Sequence, residues 1–341
     1  MSIDPGFVRL QLALSSDGLR VDQAQVECCR PDVSRVLIGK PASVVEEMVP
    51  LLFAVCGKAQ GLAASLALRA ARGEVVARHR NESVARESAS EHLWHLLGDE
   101  DVQLLAAGIR CFQAEEPSIA LASYIEPLLG MPPCDWLALE TSGDLDAWAT
   151  ARRGVLSRSF HRHGFEPHPT SVPLLPPMEA SESLCYWPRL DGDFSVHPVW
   201  QGIAAETGAI ARQCNTPLVS ALRDRPLAQR KASRLRELLL FVLDEGESPQ
   251  AGDVSAHPVS PGRGRALIQT ARGLLMHEVS LQNEITSDYI IVAPTEWNFH
   301  PQGTLPIWLR NIGAEHKQML HESIAAAVAA LDPCVPWILQ R

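Results

Sequence analysis

Arg9–Leu14 and Leu19–Val26 read as two strands, with Ser16-Asp17-Gly18 supplying the tight turn between them. A strand that pairs with its immediate neighbour needs no crossover, so the sheet it starts is antiparallel. A second hairpin is expected near the other end, from His277–Leu281 and Tyr289–Val292. Helices lie between. Ala42 to Val55 is apolar at helical spacing, Cys56-Gly57 interrupts, and Gly61 to Arg72 follows and stops at Gly73. Further helices are expected around 88–98, 101–112, 144–159 and 227–244. The last runs from Ile312 to Leu331, with Leu320, Ile324, Val328 and Leu331 on one face. Helices outnumber strands and the strands pair locally. The fold class is therefore α+β, mostly α, with a helical core and small antiparallel hairpins. Residues 166–198, rich in Pro, and 245–264, rich in Gly, Ser, Asp and Pro, read as loops. No internal repeat divides the chain, and 1–341 is expected to be a single domain.

Charge and composition narrow the function. Apolar residues make up 46% of 341, enough for a large core, and charged residues only 21%, so the chain is not a disordered one. A net charge of −10 argues against nucleic acid or an anionic membrane as partner. The local basic run from Arg152-Arg153 through Arg158, His161, Arg162 and His163 reads as an exposed helical face in preference to a docking patch. His161, His163 and His168 lack a thiol or carboxylate pattern and read as surface residues. Met1 to Gly6 has no basic or apolar leader character, and the densest apolar run, Leu238–Leu243, is too short to span a bilayer. A cytoplasmic location is expected, where thiols stay reduced. The eight cysteines show no C-x2-C, which speaks against a zinc ribbon or finger.

Two thiols stand out. Asp332-Pro333 ends the last helix, and Pro336 stiffens the turn beyond Cys334. Cys56 opens a helix in which Gly57 and Gly61 allow close approach. Unpaired N–H groups and the helix dipole there predict a lowered thiol pKa. Taken singly, each reads as an ordinary buried cysteine in preference to a ligand or nucleophile. Lys58 reads as solvated, and Cys28-Cys29 as packing after a strand.

Several separated segments agree on one family. Gly39-Lys40-Pro41 before Cys56-Gly57, then Glu206 to Arg212, Arg272-Gly273, His277, Ala293-Pro294-Thr295-Glu296-Trp297-Asn298-Phe299 and Asp332-Pro333-Cys334 together resemble the large subunit of nickel–iron hydrogenases. The resemblance implies a hydrogenase large-subunit-like helical core. It also has gaps. Where the family's N-terminal motif has a second cysteine and a histidine, this chain has Ala59 and Ala63. Where its C-terminal motif has them, this chain has Trp337 and Gln340. The family's first cysteines bind nickel terminally and its second ones bridge nickel to iron, so the bridging pair is missing. The proton-moving glutamate is replaced by Pro5, and no extension for maturation cleavage follows the C-terminal motif.

This pattern is similar to that of HoxV/HupK-type maturation proteins, large-subunit look-alikes that serve as assembly scaffolds. The resemblance implies a non-catalytic carrier that transiently binds the Fe(CN)2(CO) fragment, without nickel. Cys56 and Cys334 are then the metal ligands. Arg272, Pro294 and Thr295 would hold the cyanides, the guanidinium by its fixed fork of donors and the threonine by its hydroxyl. Thiolates suit low-spin iron(II), a soft centre. Both retained cysteines match nickel-side positions. Either the fragment sits displaced toward the vacant nickel position, or one thiol alone binds it. Trp297, Asn298 and His277 read as fold residues. The implied partners are iron-fragment carrier proteins and the large-subunit precursor, with no nucleic acid and no membrane. A metal-free adaptor using the large-subunit shape is the alternative, and an active oxidoreductase the least favoured reading.

Overall fold

The computed structural model describes residues 5–53, 55–98, 102–160, 165–176, 187, 190–245, 249–310 and 312–340. Strand β1 (Phe7–Leu14) pairs antiparallel with β2 (Val21–Cys29), as the turn residues predict. Val8, Leu10 and Leu12 alternate along β1 and are buried. A third strand adds to the other edge of β1: the tail, Trp337–Gln340, forms β8 and runs parallel to it, with Val8 opposite Trp337 and Gln11 opposite Gln340. The segment beyond Asp332 is thus folded in. An open β1 edge invites a partner, and Trp337 and Leu339 turn inward beside it.

The central stretch is helical. α1 (Ala42–Leu52) and α2 (Gly57–Ala71) form a pair, followed by α3 (Glu82–Leu97), α4 (Val102–Phe112), α5 (Pro117–Leu129) and the long α6 (Pro226–Val242). α3, α4, α5 and α6 share a core in which Leu93, Leu121, Ile125, Leu235 and Leu238 are fully buried. Each such side chain contributes about 2 kcal/mol relative to exposure. The short α7 (Pro294–Asn298) precedes the last helix, α8 (Lys317–Leu331), which packs Leu320, Ile324 and Val328 under the three-stranded sheet.

The second hairpin belongs to a larger antiparallel sheet of five strands, ordered β3 (Val76–Arg80), β4 (Asp253–Ser260), β5 (Arg263–Thr270), β6 (Gly273–Gln282) and β7 (Ile285–Val292). α2 lies across it with Ala63, Ala64, Ala67 and Ala70 buried. Its alanines bring helix and sheet so close that a Cβ on Gly264 would strike the α2 backbone at Ala67 and Ala71.

Two expectations need correction. The loop expected over 245–264 contains β4 and the start of β5. Val254 and Ala256 point into the core there, but Ser, His and Pro around them mask the alternation. The single helix expected over 144–159 is two, Ser142–Ala151 and Val155–Ser159. Arg152 adopts a left-handed conformation at the break, and a Cβ on Gly154 would strike the carbonyl of Leu128. In the stretch 166–198 a short helix, Gly192–Val196, interrupts the described part. His161, Arg162, His163 and Cys185 lie outside the described residues. Among the described residues no helix is long and apolar enough to cross a membrane.

The fold therefore combines helices with a five-stranded antiparallel sheet and a three-stranded sheet whose tail strand is parallel to β1. The turn into α2, the β5–β6 turn, α7 and the end of α8 converge, and these four segments carry the residues singled out above.

Candidate functional site

Cys56 occupies the position immediately before α2. Gly61 keeps that turn tight, because a Cβ on it would press against the ring of Pro50 in α1. Cys334 comes from the opposite end of the chain. Asp332 takes a left-handed conformation (φ 53°) that ends α8, and Pro333 turns the chain toward the thiol. Pro294 at the first turn of α7 fixes the exit from β7, and buried Thr295 follows it. The Thr295 hydroxyl lies 3.0 Å from Cys334 Sγ, and the Cys334 N–H reaches the same oxygen at 3.5 Å. Both cysteines are of intermediate exposure, and Cys334 lines a cavity.

Arg272 sits in the β5–β6 turn. Asn298 holds that turn, donating to the Arg272 carbonyl at 3.1 Å while its Oδ1 accepts the Thr207 N–H at 2.9 Å. Gly273 adopts φ 134° because Thr207 leaves no room for a Cβ. The Arg272 guanidinium donates to Glu91 of α3, and its Nε faces Asp332 Oδ2 at 3.4 Å. That Nε is buried and makes no hydrogen bond. This cavity, of about 730 Å³, opens beside Arg272 and Cys334, with Val55, Trp94, Asp332 and Pro336 also in its wall; Cys56 and Thr295 do not line it.

The thiols and guanidinium feel one another. Burial, then the Cys334 thiol, then Glu91 push the Cys56 thiol up to about 12. The expectation of a lowered pKa at Cys56 is therefore overturned. The N–H groups at the start of α2 are already taken: those of Lys58 and Ala59 donate to the Glu87 carboxylate at 2.9 Å each. Burial lifts Glu91 to about 8, against the pull of Arg272. Burial would raise Asp332 too, but His95 and Arg272 hold its carboxyl well below the usual range.

The structure thus brings Cys56, Cys334, Arg272 and Thr295 together, with Pro294 as the turn behind Thr295. Trp297 and Asn298 are fold residues, the former fully buried among Trp187, Phe194 and Leu267. His277 is a core histidine, hydrogen-bonded to Tyr289 and Gln60 at 2.8 Å each. Sequence reasoning missed Cys28, Arg30, Glu296 and Gln60. Arg30 pairs with Glu296 at 3.1 Å, Cys28 Sγ lies 4.0 Å from the same carboxylate, and Glu296 leads the neighbours that hold Arg30 charged, with Cys334, Cys28 and Cys56 following. The two-residue period through Ala24 and Val26 puts Cys28 on the inner face of β2, a signal that was available. Among the described residues no group of three or more His, Cys, Asp or Glu is placed to hold a metal ion.

No family model matches the chain. It is 31% identical to the hydrogenase expression/formation protein HoxV of Cupriavidus necator, over 91% of each chain. It is 30% identical to the hydrogenase expression/formation protein HupK of Bradyrhizobium diazoefficiens, over 91% of this chain and 90% of that one. To the HupK protein of Azotobacter vinelandii it is 28% identical over 97% of both. Among solved structures it resembles a [NiFeSe] hydrogenase variant from Desulfovibrio vulgaris Hildenborough, with a TM-score of 0.55 and 15% identity over 98% of both chains. An NAD+-reducing [NiFe]-hydrogenase aligns over 97% of both, with a TM-score of 0.55 and 18% identity. At such identities the likeness speaks for the fold, that of a hydrogenase large subunit.

Proposed function

Because the chain belongs to the HoxV/HupK family of hydrogenase expression/formation proteins, we propose that it is a non-catalytic carrier in nickel–iron hydrogenase maturation. It transiently holds the Fe(CN)2(CO) fragment and passes it to the large-subunit precursor. The observation that carries this reading is that Cys56 and Cys334, far apart in the chain, lie close enough for the Cys334 thiol to act on Cys56 and for both to act on the half-buried Arg272. Soft thiolates suit an iron centre carrying cyanide and carbonyl. The Arg272 Nε, buried without a hydrogen-bond partner, offers a donor that a cyanide nitrogen would satisfy. The Thr295 hydroxyl, already against Cys334, is the second donor of this kind.

Each thiol gives up its proton when it takes the metal, and reprotonation favours release. Whether both thiols bind, with the fragment displaced toward the vacant nickel position, or Cys334 binds alone beside Thr295, is decided by the single substitutions below. Iron-fragment carriers upstream and the large-subunit precursor downstream are the partners. The setting is the cytoplasm, and neither nucleic acid nor membrane takes part.

Protein purified without air from a maturation-competent strain should contain iron, no stoichiometric nickel, and infrared bands of cyanide and carbonyl. Iron-free, band-free protein from such a strain would sink the carrier reading. It would favour a metal-free adaptor that engages maturation partners through its large-subunit shape.

A further inference from the structure

Cys56 is not left to find its own orientation. The Gln60 side-chain amide, one helical turn along α2, donates to Cys56 Sγ at 3.7 Å. Its carbonyl oxygen accepts from His277 Nε2 at 2.8 Å, and His277 Nδ1 lies 2.8 Å from the Tyr289 hydroxyl. Gln60 and His277 are buried to within 1% of full enclosure, and Tyr289 to within 2%. One proton arrangement satisfies all three bonds. Gln60 points its amide at sulfur, so its carbonyl needs a donor and His277 must carry its proton on Nε2. Nδ1 is then bare and accepts from the tyrosine. The chain of donors runs one way, from Tyr289 on β7 through His277 on β6 and Gln60 on α2 to the thiol. Burial holds His277 neutral, its pKa pushed down to about 3, which keeps that arrangement in place.

We propose that Gln60 is a positioning residue for Cys56, locked by the Tyr289–His277 pair, and that its hydrogen bond sets both the direction and the donor strength of the sulfur. This rests on the carrier reading for its purpose, and on the geometry alone for its existence. A ligating sulfur that accepts a hydrogen bond gives less electron density to its metal. Its bond to iron is weaker, which suits a fragment that must leave again. The neighbouring Ala59, where the resemblance would place a second thiol, is fully buried and offers no sulfur of its own.

Infrared spectroscopy tests both halves. In cargo-free protein the S–H stretching band that disappears in Cys56→Ser belongs to Cys56. It should move in Gln60→Met, which keeps the length and loses the donor. It should move less, in the same direction, in Tyr289→Phe, which removes only the hydroxyl at the far end of the relay. An unmoved band in both variants overturns the inference. In loaded protein, Gln60→Met should lower the carbonyl stretching frequency, because a sulfur freed of its hydrogen bond pushes more density onto iron and into the carbonyl. It should also lengthen iron retention against a chelator several-fold. Loaded Gln60→Met with the wild-type carbonyl frequency overturns the inference while the carrier reading stands. Wild-type protein without cyanide and carbonyl bands overturns the carrier reading, and the S–H band then decides the inference. If Gln60→Met does not fold, Tyr289→Phe decides in the same way.

Discussion

The Thr295 hydroxyl and Cys334 Sγ are 3.0 Å apart, and one methyl-for-hydroxyl exchange removes the contact without changing shape. A typical hydrogen bond contributes about 1 kcal/mol net, roughly a factor of five. Thr295→Val should therefore lose iron about five times faster to a chelator, and Thr295→Ser should restore most of the difference. Cys56→Ser and Cys334→Ser should abolish iron binding while the fold survives, since serine is near-isosteric and only the soft donor goes. If one alone abolishes it, one thiol binds. Cys111, packed beside the helical core, is the control: Cys111→Ser should keep its iron, and equal loss from all three would mean that packing has been mistaken for ligation. These residues were legible in the sequence because each stands in a short contiguous motif. Gln60 and Arg30 were not, because their meaning depends on partners across the fold: His277 for the one and Glu296 for the other.

α3 and α6 are held to each other by charge as well as by leucines. Glu237 of α6 accepts from Arg212 at 2.6 and 2.8 Å and lies 2.9 Å from His92 of α3, all three side chains nearly fully buried. Burial opposes ionisation of Glu237, but Arg212 and His92 outweigh it and hold its pKa at about 2. A carboxyl depressed in the folded state stabilises it above the unfolded pKa and stops doing so as pH falls through the folded one. Glu237 thus contributes fully above pH 4.5 and loses its contribution between there and about 2. Burial also lowers the pKa of His92, which acts in the same direction because acid protonates the unfolded chain first. Urea midpoints should therefore fall on acidification, and Glu237→Gln should flatten the part below pH 4.5. Arg212→Met, which strands a buried carboxylate, should cost about 3–5 kcal/mol in the same titration. Hairpins and amphipathic helices were legible because their partners are neighbours in sequence. β3 was not, because Arg80 pairs with the distant Asp253, and β4 was not because Ser, His and Pro mask its alternation although its partner β5 is the next strand.

The two ends of the chain close the structure jointly. Removing everything after Pro336 deletes β8 and its ladder to β1 but spares Cys334. Trp337 and Leu339 are only partly buried, so the loss should be about 2 kcal/mol, a modest drop in the thermal midpoint. Iron retention should suffer more, because Pro336 lines the cavity and would be held to β1 by its 2.9 Å bond from the Val8 N–H alone, without the β8 ladder that follows it. The general plan was legible here, and Pro336 marked the turn beyond Cys334. That the tail is a strand was not, since four residues carry too short a pattern to read. Gln11 and Gln340, hydrogen-bonded at 3.3 Å, are 329 positions apart in the chain. Such a pair is among the slowest contacts a protein can make. β1 gains its third strand only by pairing with residues more than 300 positions away, so Cys334 is expected to join Cys56 late in folding. In refolding, pulsed alkylation should find α2 settled on its sheet, and Cys56 shielded, before Cys334 is. Loading is thereby tied to closure of the three-stranded sheet, and a chain whose β8 has not yet docked would hold cargo poorly.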